Sequence, residues 1–181
     1  MTPTEATDLH EAVAAATRVV DGVRPEQWAS PTPCLDWTAA QLLTHLATGT
    51  AGLAAGLRGE DPSPVDDDPA AAFHRATTVL LEATSQPGLP ATVTIPVGTV
   101  PVPVALGLRT TELLVHGWDL ARATDQTMTA AEEAVERAIG FSRGFLGRVP
   151  ADRTPFAPPQ PVADDAPALD RLAALLGRDP G

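Results

Sequence analysis

The chain has 181 residues, 44% of them hydrophobic and 19% charged, which is enough apolar side chain for one core and too little charge for a disordered polymer. Twelve basic residues against 23 acidic ones give a net charge of −11, which opposes a sequence-independent grip on nucleic acid or on an anionic membrane. The lone Cys34 excludes an internal disulfide, no apolar run of about twenty residues suggests a membrane span, and Met1 precedes Thr2-Pro3-Thr4-Glu5 with no leader pattern, so a soluble cytoplasmic protein is expected.

All twelve basic residues are arginine; lysine, asparagine and tyrosine are absent, and Ile95 and Ile139 are the only isoleucines. These four amino acids have AT-rich codons, so the gene is GC-rich and the excess of Ala, Arg, Gly and Pro is partly genomic.

Residues 4–22 place Leu9, Val13, Ala16, Val19 and Val20 at helical spacing, predicting a first helix. Arg24 to Cys34, with Pro25, Pro31 and Pro33, predicts an irregular connection whose Trp28 packs down on the bundle. Thr38 and Gln41 form a capping-box pattern that opens a second helix to about Leu57. Asp68-Pro69 supplies an N-cap and a first-turn proline for a third helix to about Ser85, and also explains the acidic cluster Asp66, Asp67 and Asp68 without calcium. Residues 91–104 are β-branched but interrupted by prolines, predicting at most a short hairpin across the bundle.

A fourth helix is expected over about Val104 to Thr124, and a fifth from a capping box at Thr129 to Glu132, with Val135, Ile139, Phe141 and Phe145 on its apolar side. Residues 148–168 read as an extended arm ending in a short helix over Asp170 to Leu176. The pattern predicts an all-α protein: a four-helix bundle over residues 1–147 with a hairpin insertion, then a proline-rich arm with a short helix over 148–181. The apolar hairpin and extended tail make a homodimer plausible.

Glu112 and His116 are four apart and project from one helix face, a spacing that serves a shared ligand and equally an exposed ion pair or a core histidine. His45, among Leu42, Leu43, Leu46 and Leu53, is either a neutral core histidine or a third donor. Together the three would form a His2Glu set suited to zinc with one position left open. His10 and His74 lack a partner at ligand spacing and read as surface residues, and Cys34 reads as a small residue packed between Trp37 and Trp28.

The string Pro31-Thr32-Pro33-Cys34-Leu35-Asp36-Trp37-Thr38, then Leu42-Leu43-Thr44-His45-Leu46, then Glu112-Leu113-Leu114-Val115-His116-Gly117-Trp118-Asp119-Leu120-Ala121, resembles the actinobacterial maleylpyruvate isomerase-like, mycothiol-dependent metal-binding family of the DinB-like superfamily. Asp170-Arg171-Leu172 with Gly177-Arg178-Asp179-Pro180 resembles the tail of a smaller metal-binding subgroup. The resemblance implies a DinB-like bundle and a divalent metal, zinc, held by His45, Glu112 and His116, with mycothiol as thiol cosubstrate attacking an electrophilic small molecule. In that setting Arg109 would hold a substrate carboxylate or orient Glu112, and Asp119 would accept the spare ring N–H of a ligand histidine; both residues also read as ordinary helix-surface charges. Trp37 and Trp118 would wall the pocket, or simply fill the core. The isomerase has a further C-terminal domain where this chain has about thirty residues, so isomerisation of maleylpyruvate itself is not expected. The competing expectations are a metal-dependent hydrolase using bound water and a bundle that binds a metal or small ligand without catalysis.

Overall fold

The computed structural model describes residues 2–34, 37–62, 64, 68–149, 154 and 156–181; Leu35 and Asp36 of the first string and Asp66 and Asp67 of the acidic cluster lie outside them. Helix α1 (Pro3–Asp21) begins at a capping box in which the Thr2 hydroxyl accepts the Glu5 N–H at 3.2 Å and the Glu5 carboxylate accepts the Thr2 N–H at 2.7 Å. A 3-10 helix (Pro25–Ala29) occupies part of the expected connection. Its buried Gln27 donates to the Thr124 carbonyl at 2.8 Å, and Trp28 packs against the core as expected. Helix α2 (Ala39–Arg58) has the Thr38–Gln41 box, and α3 (Pro69–Ser85) the Asp68 cap, whose carboxylate accepts the N–H groups of Ala70 and Ala71.

Strands β1 (Thr92–Ile95) and β2 (Gly98–Pro101) form the short antiparallel hairpin, with Val93 opposite Val100 and buried against α2. Helix α4 (Val102–Ala123) starts two residues before the expected Val104. A first-turn N–H has no intrahelical partner, so Pro103 sits there at little cost. Helix α5 (Glu132–Leu146) corrects the second capping box: its N-cap is Ala131, with no side-chain cap, because Arg18 of α1 holds the Thr129 carbonyl at 2.7 Å and keeps that residue outside the helix. Helix α6 (Ala168–Leu175) is the expected short terminal helix.

Helices α1 to α4 form the bundle, α1 packing on α4 and α2 on α3 and α4, while α5 and α6 lie together against α4. A bidentate Arg137–Asp8 pair fastens α5 to α1. Leu172, Ala173 and Leu176 are fully buried in the same hydrophobic core as Leu42, Leu46 and Leu113, so the C-terminal segment and the bundle share one interior. No helix among the described residues is long and apolar enough to cross a membrane.

Candidate metal and thiol site

Four side chains of α4 lie at positions 109, 112, 116 and 119. That 3-4-3 spacing keeps all of them on one face of a helix, here the face turned inward. Across from them, α2 presents His45 and, one turn on, Gly49. A Cβ at Gly49 would overlap the Arg109 guanidinium, so the missing side chain is what admits the arginine. The ring of His45 lies 5.3 Å from that of His116, edge to face, and Trp37, just before α2, covers both with centroids 4.6 Å from His45 and 5.9 Å from His116.

Among the described residues, the buried ionisable side chains are Arg109, His116, Asp119 and Arg178, and all four converge on this face. Asp119 is 0% exposed; its Oδ2 accepts from His116 Nδ1 at 3.0 Å. Arg178, from the C-terminal tail, brings Nη2 to the same oxygen at 2.9 Å and Nε to Oδ1 at 3.2 Å. Arg109 Nη1 stands 2.8 Å from the Glu112 carboxylate as an ion pair, yet its N–H is not aimed at the oxygen, and neither Nη1 nor Nε has an aligned hydrogen-bond partner among the described residues. Burial lowers the Arg109 pKa and Glu112 partly offsets that effect. Burial also lowers the pKa of His45, with the neighbouring His116 adding to the effect and Glu112 opposing it. A depressed His45 is neutral near pH 7, the form in which an imidazole can act as a ligand.

The structure thus brings together His45, His116, Trp37, Arg109, Glu112 and Asp119. Trp118 is placed elsewhere: two residues from His116, it projects to the other side of α4, where its indole N–H donates to Asp170 of α6 at 2.8 Å and Arg122 stacks over its ring. Its partners are those of a residue that docks the tail. His10 and His74 are on the surface, bonded to the Ala6 carbonyl and to Asp21 respectively.

Two residues have no role at the site in the sequence reading. Cys34, expected as packing between tryptophans, is half-buried against the core, and among the described residues it is Cys34, His116 and Asp119 whose ligating atoms lie within 4.8 Å of one another. The connection ahead of α2 folds back on α4 through a bridge between Pro31 and Thr38, a contact that spacing along the chain does not announce. Arg178 drew notice only as part of a tail string, with no role attached. Surface hollows of about 280 Å³ between α2 and α3 and about 220 Å³ among α1, α4 and α5 lie away from all of these residues, so buried charge, not hollow volume, singles out the site.

Among the described residues the ligating atoms that meet are those of Cys34, His116 and Asp119, a set suited to a borderline-soft divalent ion; the expected partners His45 and Glu112 lie beside His116 but outside that cluster and would have to turn towards a shared ion. His116 Nδ1 is engaged by Asp119, which leaves Nε2 as the nitrogen open to a metal, and Asp119 is also held by Arg178, so it would orient the ring rather than ligate. Glu112 faces Arg109 and would share its carboxylate between that cation and an ion.

Fold and site together define a helical-bundle protein with buried histidine and carboxylate side chains on one inward face of α4. The mycothiol maleylpyruvate isomerase N-terminal domain model matches residues 9–121, and the chain belongs to that family. An uncharacterized protein of Mycobacterium tuberculosis, matched in two strains, is 34% identical over 167 residues, covering 91% of this chain and 92% of its own length. The crystal structure of a histidine-to-alanine mutant of the mycothiol-dependent maleylpyruvate isomerase superposes with a TM-score of 0.59 at 18% identity, covering 76% of this chain and 68% of that one, which establishes the shared helical fold.

Proposed function

We propose that this protein is a metal-dependent enzyme that uses a small thiol, mycothiol in this family, as the nucleophile in thiol transfer or isomerisation of a carboxylate-bearing electrophile. The convergence of every buried ionisable side chain among the described residues on one helix face carries this reading, because a bundle has no structural need to gather them there.

His45, Glu112 and His116 would hold the ion, with Cys34 close enough to act as a further ligand or as the wall of the open position. When bound, zinc supplies Lewis acidity that lowers the pKa of a thiol at its open position towards neutrality. Trp37 shields the histidines from water on one side. Among the described residues Arg109 Nε has no partner and Nη1 meets Glu112 only as an ion pair off the hydrogen-bond direction, which leaves the buried guanidinium with donors to offer the carboxylate of a substrate. Asp119 keeps the proton of His116 on Nδ1 and takes no direct part in bond making. With Arg109 and Arg178 offsetting Glu112 and Asp119, an added divalent ion leaves the site net positive and receptive to a thiolate and a carboxylate, although the chain as a whole carries −11. A reducing cytoplasm, where such thiols are kept, is its place of action.

The test measures metal content and thiol consumption for wild type, His45→Ala and Cys34→Ala with an activated alkene that carries a carboxylate. About one divalent ion per chain is expected, with activity that requires both metal and thiol, is lost in His45→Ala and survives in Cys34→Ala. Thiol-independent hydrolysis that tracks metal content would replace this reading with the hydrolase. Loss of activity in Cys34→Ala with metal retained would make the protein's own sulfur the nucleophile.

A further inference from the structure

The last residues of the chain reach the site by a route built into the backbone. Helix α6 closes in a Schellman turn, in which the Gly177 N–H bonds the Ala174 carbonyl at 3.0 Å and the Arg178 N–H bonds the Ala173 carbonyl at 2.9 Å. Gly177 adopts φ +89°, and a Cβ there would overlap Ala157 of the arm, so glycine is required on both counts. The reversal turns Arg178 back towards α4, and two further bonds hold the tail down: the Trp118 indole to Asp170 at 2.8 Å and the Arg122 guanidinium to the Pro180 carbonyl at 2.9 Å.

The Arg178 side chain arrives buried and fully engaged. Nη1 donates to the Leu176 carbonyl at 2.8 Å, while Nε and Nη2 hold the two oxygens of Asp119. A guanidinium can only donate and a carboxylate only accept, so Oδ2 receives both Arg178 and His116, and Nδ1 must be the protonated nitrogen of that ring. Nη2 lies 3.5 Å from Nδ1 because both donors converge on the same oxygen. Asp119 thus sets the tautomer, with the proton on Nδ1 and Nε2 left to ligate, and Arg178 holds the carboxylate where it can do so.

We propose that Arg178 is a positioning residue: docked by the α6 turn, it locks Asp119 and through it His116 in the orientation and tautomer that ligate the metal. The idea rests on the metal reading above and extends it to the C-terminal segment, which lies beyond residues 9–121 matched by the family domain. Arg178 touches neither thiol nor electrophile in this scheme and acts only through Asp119.

The experiment uses the full chain in wild-type, Arg178→Met and Arg178→Lys forms. Nitrogen-15 NMR of histidine-labelled, metal-free protein, with His116 assigned by His116→Gln, reads the tautomer. Zinc affinity is measured by competition with a chelating dye, and Co(II) absorption reports ligand geometry. The wild type should show the Nδ1–H form at His116. Arg178→Met frees Asp119 from two of its three donors, so the tautomers should mix and zinc affinity should fall about 10- to 100-fold. Arg178→Lys keeps the charge but not the two-pronged grip and should fall between. An unchanged tautomer and affinity in Arg178→Met overturns the proposal and leaves the metal reading standing. If Arg178→Met misfolds, Arg178→Lys decides: a native tautomer with native affinity rejects the proposal. If wild type binds no metal, the metal reading fails by itself, and the tautomer comparison still decides whether Arg178 positions His116.

Discussion

Replacing Arg109 by methionine should make the protein more stable and less active at once. The guanidinium is buried, and among the described residues Nε has no hydrogen-bond partner and Nη1 has only the misaligned ion pair with Glu112; leaving buried donors unsatisfied costs about 1–3 kcal/mol. Its partner Glu112 is 24% exposed and can be rehydrated when the cation is gone. Replacing a whole buried ion pair by apolar groups often gains about 1–4 kcal/mol; removing Arg109 alone keeps only part of that, because Glu112 stays behind and must be rehydrated through its exposed edge. A net gain of about 1–2 kcal/mol follows, which for a chain of this size raises Tm by roughly 2–8 °C. Methionine fills the volume beside Gly49 with a flexible apolar chain, so no cavity offsets the gain. Thermal melts of metal-free Arg109→Met followed by circular dichroism give the first number. KM for carboxylate-bearing against neutral electrophiles gives the second, and it should rise only for the former. A Tm lowered by more than about 3 °C would refute the reasoning, since it would show the guanidinium to be a net support of the fold rather than a group held ready for an anion.

Leu172→Ala on α6 should cost about 3–5 kcal/mol in urea denaturation, because the side chain is fully buried in the common core; a loss below about 1 kcal/mol would show that the tail is a detachable appendage. Metal-free protein should lose stability as pH falls below about 6.5. His45 is depressed in the folded state, so its contribution is present above the unfolded value and is lost as pH drops towards the folded one; His45→Gln should flatten that part of the curve, and an unchanged curve would contradict it. Trp118→Phe keeps an aromatic ring but loses the indole N–H and its bond to Asp170, and should cost about 1–2 kcal/mol with strong coupling to Asp170→Ala in a double-mutant cycle; additive losses would mean the bond is idle.

The features that could be read from the sequence are those whose physics is local. Caps at Thr38 and Asp68, the hairpin broken by prolines, and the 109–112–116–119 stripe depend on residues within four positions of one another, and they stand where expected. The failures all involve distant partners. Thr129 has the residues of a capping box, but its carbonyl is claimed by Arg18 across 111 positions. Trp118 sits in the same string as His116, yet the tail, 52 positions on, decides which way its indole points. Cys34 does pack against the core, as Trp28 and Trp37 do; what its neighbours in sequence do not show is that its thiol also comes near His116 and Asp119 of α4. Arg178 was invisible as a site residue for the same reason, since a lone arginine in a terminal string acquires meaning only when a glycine turn aims it.

The separation between Asp119 and Arg178 sets an order of events in the cell. The two are 59 residues apart, and at about 5–20 residues per second the ribosome takes roughly 3–12 s to cover that distance. Helices α1 to α4 are all synthesised before then, so a nascent bundle carries Asp119 and both histidines while the arginine does not yet exist. An ion that met the chain in that interval would find His116 unlocked and would bind loosely. On the proposed metal reading, tight loading would wait until Arg178 has been made and turned back onto Asp119, so the glycine turn at 177 acts as the closing stitch of the site.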